Sequence, residues 1–382
     1  MRRVLVYGLA RSGTAAAEAL ERRGVEVVRV DRTLGNEDAS LDGIDIVVKN
    51  PGIPPGVPLL AHAREQGVPI WSEVELGYRL LGGVPIVGVT GTNGKTTTVE
   101  LLGAIFRAAG HEVAVAGNVG RPLSAVEGAD WVICELSSFQ LEDVHEFRCR
   151  VAVLLNLEPD HLDRYVSFED YRDAKLRIFE RADAKIVPSN SLLEGIRFSA
   201  DDPLPTEPLI PGRHNRENAA AATAAARAAG IGDDAIAEGL RTFPGVEHRL
   251  ELVAEIGGVR YVNDSKATNV PAARTGIRAY DAPLHVILGG SLKGEDFRGL
   301  DLPANVRSIH LIGEAADELA AALGDRPHTR DKTLDRAVAA AAAVAEPGDI
   351  VLLSPGCASY DQYENFERRG EDFVRLVQNL EG

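Results

Sequence analysis

Cysteine is scarce in this chain of 382 residues: there are three, Cys134, Cys149 and Cys357, odd in number, far apart and partly inside apolar runs. That pattern excludes a disulfide framework and fits a reducing compartment. Basic charge is short as well, with 41 Lys and Arg against 57 Asp and Glu and a formal net charge of −16. The balance argues against a nucleic-acid partner and against a bulk membrane surface, since both favour a basic face. Any anionic ligand must therefore meet locally placed positive charge. Long apolar runs are missing too. The opening Met1-Arg-Arg-Val-Leu-Val-Tyr-Gly8 starts like a leader, but Gly8, Arg11 and Gly13 interrupt it and it reads as a first β-strand. The most apolar helical stretch, around Ala337 to Ala345, is too short to cross a bilayer. A cytoplasmic protein without membrane insertion is expected, and a monomer.

What the chain does contain is α/β patterning in three successive blocks. In the first, strands at Val4–Gly8, Val25–Asp31 and Ile44–Lys49 surround a helix over Ala10–Arg23. Its first turn, Gly8-Leu-Ala-Arg-Ser-Gly13, resembles a dinucleotide loop lacking the middle glycine, and Asp31 ends the next strand where a ribose-contacting acid would sit. A helix near Val74–Leu81 leads over Gly82-Gly83 into the second block. There Ile86-Val-Gly-Val-Thr-Gly-Thr-Asn-Gly-Lys-Thr-Thr-Thr98 joins a β-branched run to a glycine-rich turn ending in Lys95 and Thr96. This is a phosphate cradle. Gly91 and Gly94 let backbone N–H groups turn inward, the following helix aims its positive end at the same point, Lys95 neutralises phosphate charge and the Thr96 hydroxyl is placed for Mg²⁺. The loop is tighter than the common pattern, because Val89 stands where the first glycine is usual.

Strands at Trp131–Leu136 and Val151–Asn156 end in polar residues, Glu135 with Ser137-Ser138 and Asn156 with Glu158, Asp160 and His161. In open parallel sheets the ligand crevice lies beyond the carboxyl ends of the strands, so Glu135 and His161 are candidate metal ligands beside the loop. From Pro188 to Pro211 periodicity gives no element. Gly212-Arg-His-Asn215-Arg-Glu-Asn218 opens an alanine-rich helix, which Asn215 or Asn218 would cap, or else one of them reads a purine edge. The third block begins near Gly245, with strands at Val259–Asn263, His285–Leu288, Ser308–Ile312 and Ile350–Leu353 alternating with helices. A dehydrogenase using the Gly8 loop is disfavoured by the absent middle glycine, and a non-catalytic nucleotide switch by the acids and His beside the phosphate loop.

Several segments in chain order resemble the Mur ligases: Thr90-Gly-Thr-Asn-Gly-Lys-Thr-Thr97, Gly117-Asn-Val-Gly120, Glu135-Leu-Ser-Ser-Phe-Gln-Leu141, Asp160-His-Leu-Asp-Arg-Tyr165, Lys175-Leu-Arg-Ile178, His248-Arg249, Asn263-Asp-Ser-Lys-Ala-Thr-Asn269 and Cys357-Ala-Ser-Tyr-Asp-Gln-Tyr-Glu-Asn-Phe366. The Glu135 and Asn263 segments look particular to the D-glutamate-adding member, whereas the phosphate loop is shared with folylpolyglutamate synthetases. The resemblance implies an α/β fold of three domains. These are a Rossmann-like UDP-substrate domain over 1–80, a central P-loop-type parallel sheet over 81–245 and a Rossmann-like amino-acid domain over 246–382, with closure about a hinge near Gly245. It implies ATP and two Mg²⁺ sites, with UDP-N-acetylmuramoyl-L-alanine and D-glutamate as small-molecule substrates.

By the same resemblance Gly91, Thr92, Asn93, Gly94, Lys95, Thr96 and Thr97 hold ATP, with Asn215, Asn218, Arg249, Asp264 and Lys266 facing the nucleotide. Thr96, Glu135 and His161 are metal ligands, joined by Lys175 as a carbamate; read from the residues alone, Lys175 is an ordinary helix-surface lysine. Asn118 holds the substrate carboxylate region, and Lys95, Asn118, His161 and Lys175 form the catalytic group. Leu9, Arg11, Ser12, Asp31, Arg32, Asn50, Pro51 and Gly52 dock the uridine nucleotide. His248, Thr268, Lys293, Ser359, Tyr360 and Phe366 dock D-glutamate. Two departures stand out: Arg32-Thr33 reverses the usual order, and the stretch between Lys175 and Asn215 is short.

Overall fold

The computed structural model describes residues 1–160, 164–292 and 296–380. Its contacts divide the chain into two compact units, one of residues 1–209 and 214–243, the other of residues 210–213 and 244–382. The first unit holds two sheets and the second unit one.

The first sheet follows the sequence expectation closely. Strands β1 (Arg3–Tyr7), β2 (Glu26–Val30), β3 (Ile46–Lys49) and β4 (Ile70–Ser72) run parallel in the order β2-β1-β3-β4. Helix α1 (Arg11–Glu21) buries Gly13, Ala16, Ala17, Ala19 and Leu20 at helical spacing, against Val4, Val6 and Val48 of the sheet. Of two further helices, the one expected near Val74–Leu81 is present and the other was not legible as such. Helix α2 (Pro58–Glu65) opens within a proline-rich stretch because Pro58 sits in its first turn, where no N–H is needed. Helix α3 (Glu73–Leu80) is capped by Ser72, whose hydroxyl accepts from the Glu75 amide.

In the second sheet β5 (Ile86–Thr90), β6 (Val113–Gly117), β7 (Trp131–Glu135), β8 (Val151–Leu154), β9 (Ala184–Pro188) and β10 (Ile196–Phe198) are ordered β10-β9-β8-β5-β7-β6, all parallel. Every residue of β5 and β8 is buried, as central strands covered on both faces require. Helix α4 (Lys95–Ala108) follows β5, α5 (Ser138–Leu141) follows β7, and α6 (Phe168–Leu176) links β8 to β9. Helices α7 (Arg213–Ala228) and α8 (Asp233–Thr242) complete it. The stretch expected to be irregular contains β10, a strand of 3 residues, too short to show a period of two.

The second unit carries β11 (Glu251–Ile256), β12 (Val259–Asn263), β13 (Leu284–Gly289), β14 (Val306–Ile312), β15 (Thr329–Lys332) and β16 (Ile350–Leu353), in the order β11-β12-β16-β13-β14-β15. Helices α9 (Val270–Ile277), α10 (Ala316–Leu323), α11 (Leu334–Val344) and α12 (Phe366–Gln378) alternate with the strands. The sheet is parallel apart from β11, which pairs antiparallel with β12 across the Gly257-Gly258 turn. Among the described residues, no helix is long and apolar enough to cross a membrane.

Candidate functional site

The turn between β5 and α4 sets the first half of the site. Gly94 occupies the N-cap of α4 in the left-handed region, φ 82°, so no side chain caps the helix and its first amides stay with the loop. A Cβ at Gly94 would lie 2.3 Å from Asn218 Oδ1, so only glycine lets α7 approach this closely. Asn156, just past β8, clamps the loop by accepting from the Thr92 and Asn93 amides at 3.1 and 2.8 Å. The Thr92 hydroxyl meets the Tyr171 hydroxyl at 3.0 Å, and the Asn93 amide nitrogen donates to Glu158 at 3.1 Å. Lys95 folds over its own turn and donates from Nζ to the carbonyls of Gly91 and Thr92, both at 2.8 Å. Thr96 and Thr97 are buried in the first turn of α4.

A second line of residues converges there from neighbouring strands. Glu135, the last residue of β7 and 2% exposed, accepts from the Thr96 hydroxyl at 2.9 Å and from Asn118 Nδ2 at 2.9 Å. Its position is fixed from behind by local sequence. Ser137, two residues beyond it, is the N-cap of α5 and forms a reciprocal capping box with Gln140, which is the physical content of the Glu-Leu-Ser-Ser-Phe-Gln segment. Lys175 arrives from α6, on the same face as Tyr171 one turn earlier. It is buried and donates from Nζ to the same Gly91 carbonyl that Lys95 holds, at 2.9 Å. Burial first, and the neighbouring Lys95 charge second, push the Lys175 ammonium down to about 7. The reading of Lys175 as a surface lysine is thereby corrected: its helix face is turned inward onto the phosphate loop.

The Glu135 carboxylate and the Thr96 hydroxyl side by side suit a hard divalent cation such as Mg²⁺. Among the described residues no cluster of three or more His, Cys, Asp and Glu is assembled, so the set rests on oxygen donors of mixed type. His161, expected as a ligand, lies outside the described residues. The capping role weighed for Asn215 and Asn218 does not hold. Helix α7 begins at Arg213, which places both inside its first two turns, buried, with Asn218 Nδ2 3.4 Å from Asn215 Oδ1.

On the first sheet Asp31 knits the expected nucleotide dock. Its carboxylate accepts from the Leu9 amide at 2.6 Å and from the Thr33 amide and hydroxyl at 2.8 and 2.7 Å. Those bonds, the Leu9 one foremost, hold its pKa below the usual carboxylate range. Asn50 bonds Ser12 at 2.9 Å and accepts from the Gly52 amide at 3.0 Å, while Arg11 and Arg32 are exposed. Sequence reasoning missed what anchors the Asn50-Pro51-Gly52 loop. Lys49, fully buried, pairs with Glu142 and Asp143, and Arg164 spans Glu142 at 2.8 Å, the Pro51 carbonyl at 2.9 Å and the face of Phe139. The sequence shows only a lysine ending a strand just before a proline turn, and nothing local says that it is buried or that its partners are Glu142 and Asp143.

In the second unit, Arg249 sits between His248 and Leu250, non-glycine residues at φ 61° and 46°, a strained stretch just before β11. Asp264, just past β12, is buried and accepts from Ser354 at 2.7 Å. Lys266 lies 5.9 Å from the Phe366 ring centroid, whose ring also meets His248 edge-on. Thr268 is half-buried, Ser359 buried and Tyr360 exposed. Ser291 accepts from the Tyr360 amide at 3.2 Å and donates its own amide to Ala358, tying the loop after β13 to the loop after β16. Lys293 lies outside the described residues.

Burial pushes the Asp264 carboxyl up to about 7. The unfolded chain loses that proton near pH 4, so between about pH 4 and 7 the folded chain binds more protons and this group's contribution to stability falls as pH rises. Asp264→Asn is therefore expected to raise the thermal midpoint by about 2 °C or more at pH 8 and to leave it unraised near pH 4. Circular dichroism melts at both pH values check this; equal shifts would refute it.

Comparison with known proteins covers both units. The model of the Mur ligase middle domain matches residues 89–194, and that of the Mur ligase, glutamate ligase domain matches residues 248–357. The chain is 42% identical to UDP-N-acetylmuramoylalanine–D-glutamate ligase of Acidobacterium capsulatum, over 98% of this chain and 96% of that one. It is 41% identical to the protein of the same name from Anaeromyxobacter dehalogenans, over 98% and 97%. The first alignment runs over 443 positions, so the relative carries residues this chain lacks. Among solved structures, UDP-N-acetylmuramate-alanine ligase of Thermotoga maritima superposes with a TM-score of 0.63 at 18% identity, over 99% of each chain. E. coli FolC in complex with ADP gives 0.60 at 22%, over 81% and 94%.

Proposed function

This chain belongs to the Mur ligase family, and from that membership we propose that it is the ATP-dependent ligase adding D-glutamate to UDP-N-acetylmuramoyl-L-alanine in peptidoglycan precursor synthesis. The observation that carries the reading is the meeting of Lys95, Thr96, Glu135, Asn118 and Lys175 around one glycine loop. A carboxylate is a poor electrophile with a poor leaving group, and phosphorylation by ATP removes both obstacles. The terminal alanine carboxylate attacks the γ-phosphorus and ADP leaves. The neutral amine of D-glutamate then attacks the acyl phosphate carbon, and the tetrahedral intermediate expels inorganic phosphate to leave the amide. Catalysis of such steps is chiefly positioning and neutralisation of approaching anions.

In this reading the Gly91–Thr97 turn cradles the ATP phosphates and Lys95 supplies fixed positive charge, with Asn215, Asn218, Arg249, Asp264 and Lys266 facing the nucleotide. Asn118 orients the substrate carboxylate. Thr96 and Glu135 hold one Mg²⁺, and His161 with carbamylated Lys175 the second; the metal supplies charge neutralisation between two anions when bound. Leu9, Arg11, Ser12, Asp31, Arg32 and the Asn50–Gly52 loop dock the uridine nucleotide, and His248, Thr268, Lys293, Ser359, Tyr360 and Phe366 the amino acid. Blocks 1–80, 81–245 and 246–382 act as three domains, each with one ligand, in a cytoplasmic monomer.

The test is phosphate release from Mg-ATP and UDP-N-acetylmuramoyl-L-alanine with D-glutamate, L-glutamate, L-lysine, meso-diaminopimelate or no amino acid. Release with D-glutamate alone is expected. Release with another amino acid would overturn the assignment of the second unit while leaving the phosphate loop standing.

A further inference from the structure

Arg369, in the first turn of α12, is the largest fully buried side chain of the molecule's described residues, at 1% exposure. Its fork is spent on neutral oxygens. Nε donates to Ser265 Oγ at 3.0 Å, Nη2 to the Ser265 and Cys357 carbonyls at 2.9 and 3.0 Å, and Nη1 to the Ala358 carbonyl at 3.2 Å, with the Gly289 carbonyl at 3.5 Å. The acceptors lie on the loops after β12 and β16 and on Gly289, the last residue of β13. Among the described residues no carboxylate lies within ion-pair distance of the guanidinium; Asp361 and Asp264 act on it only from farther away. Burial lowers its pKa to about 10, so it stays charged at neutral pH. The loop after β13 is moulded onto it: Gly290 stands at φ 146°, and a Cβ there would come 2.1 Å from the Ala358 carbonyl and 3.0 Å from Arg369 Nη1.

A buried cation without an ion-pair partner is an expensive way to hold three segments, since apolar residues of similar volume often stabilise more. What it adds is direction and field. Drawing the Cys357 and Ala358 carbonyls toward the guanidinium turns the N–H groups of Ala358 and Ser359 to the other side of their trans peptide planes. The uncompensated charge raises the potential around the same loops, which is useful beside a ligand carrying two carboxylates.

We propose that Arg369 is a positioning residue for the amino-acid substrate, gathering the Ser265 loop, the end of β13 at Gly289 and the Cys357–Ala358 loop into one dock and biasing that dock toward a dicarboxylate. The inference rests on the reading given under Proposed function, that Thr268, Lys293 and Ser359 receive D-glutamate. It assigns a role to a residue that touches the substrate through none of its own atoms.

The experiment compares wild type with Arg369→Lys and Arg369→Met, measuring kcat, the KM of each substrate, the thermal midpoint, and the preference for D-glutamate over D-glutamine. Arg369→Lys keeps the charge and loses the fork; it should raise the KM for D-glutamate about 10-fold and keep the preference. Arg369→Met loses both; it should raise that KM about 100-fold and shrink the preference, with the KM values for ATP and the UDP-substrate within about two-fold of wild type. If Arg369→Met does not fold, the split between KM values in Arg369→Lys decides alone. Parallel rises in all three KM values with a falling midpoint, or an unchanged D-glutamate KM, would overturn the proposal. Wild type that turns over another amino acid and ignores D-glutamate would overturn the underlying reading instead, and the same variants would then be scored on that amino acid.

Discussion

Lys175→Ala is expected to lower kcat by about 1000-fold while leaving the fold intact, the scale on which one preorganised charged group contributes to a transition state. The reason lies in where α6 places the side chain. A free ammonium buried there, with the Lys95 charge beside it, is poorly accommodated, and burial foremost brings its pKa down to about 7. Near neutral pH a comparable share of Lys175 is then the uncharged amine, against roughly one in a few thousand for an ordinary lysine. In the proposed reading that amine attacks CO₂, forming the N–C bond and releasing a proton, to give an anionic carbamate with oxygen donors on a long arm. The sign of the linkage agrees. The unfolded lysine keeps its proton to about pH 10 and the folded one releases it near 7, so the group's contribution to stability rises with pH across that window. Activity should therefore fall in CO₂-depleted buffer below pH 7 and return on adding bicarbonate. Lys175→Ala should ignore bicarbonate and recover partly with a small carboxylate such as formate. Retention of more than about a tenth of wild-type kcat by Lys175→Ala would sink the assignment.

The Gly91–Thr96 turn was legible because its chemistry is local: a strand, glycines that permit positive φ, then a lysine and a hydroxyl at the helix start, all within one short segment. Glu135 was legible for a related reason, since strand ends in parallel sheets face the ligand crevice. Lys175 was not, because nothing within α6 says which of its faces is buried; that is decided by where α6 crosses the Gly91 loop, a contact 84 residues away in sequence. Arg164, Lys49 and Arg369 were illegible on the same ground, their partners being backbone carbonyls and acids on other elements. Among the elements, apolar central strands such as β8 and β16 were read correctly even at 4 residues, whereas β10 has only 3 residues and β15 is polar and largely exposed, so neither carries an apolar pattern to register. Asn215 and Asn218 were misread through a sound local rule, because Arg213 rather than either asparagine begins α7.

The second large effect is expected at Glu135. Glu135→Gln preserves shape and can still accept from the Thr96 hydroxyl, so the fold and the β7–α5 capping box should survive. Two things are lost. The negative charge that makes this oxygen set attractive to Mg²⁺ disappears, and the new amide NH₂ meets the NH₂ of Asn118, which now donates to Glu135 Oε1 at 2.9 Å. The variant should show kcat down by about 100- to 1000-fold, with the Mg²⁺ concentration for half-maximal activity raised at least about 10-fold, since a removed ligand charge weakens the metal rather than the nucleotide cradle. Nucleotide binding measured in EDTA should be nearly unchanged, because in the proposed function Gly91 to Lys95 hold the phosphates through amides and an ammonium. That split separates a metal ligand from a residue that merely buttresses Thr96. A buttress would lower nucleotide affinity with and without metal alike and leave the Mg²⁺ dependence where it was.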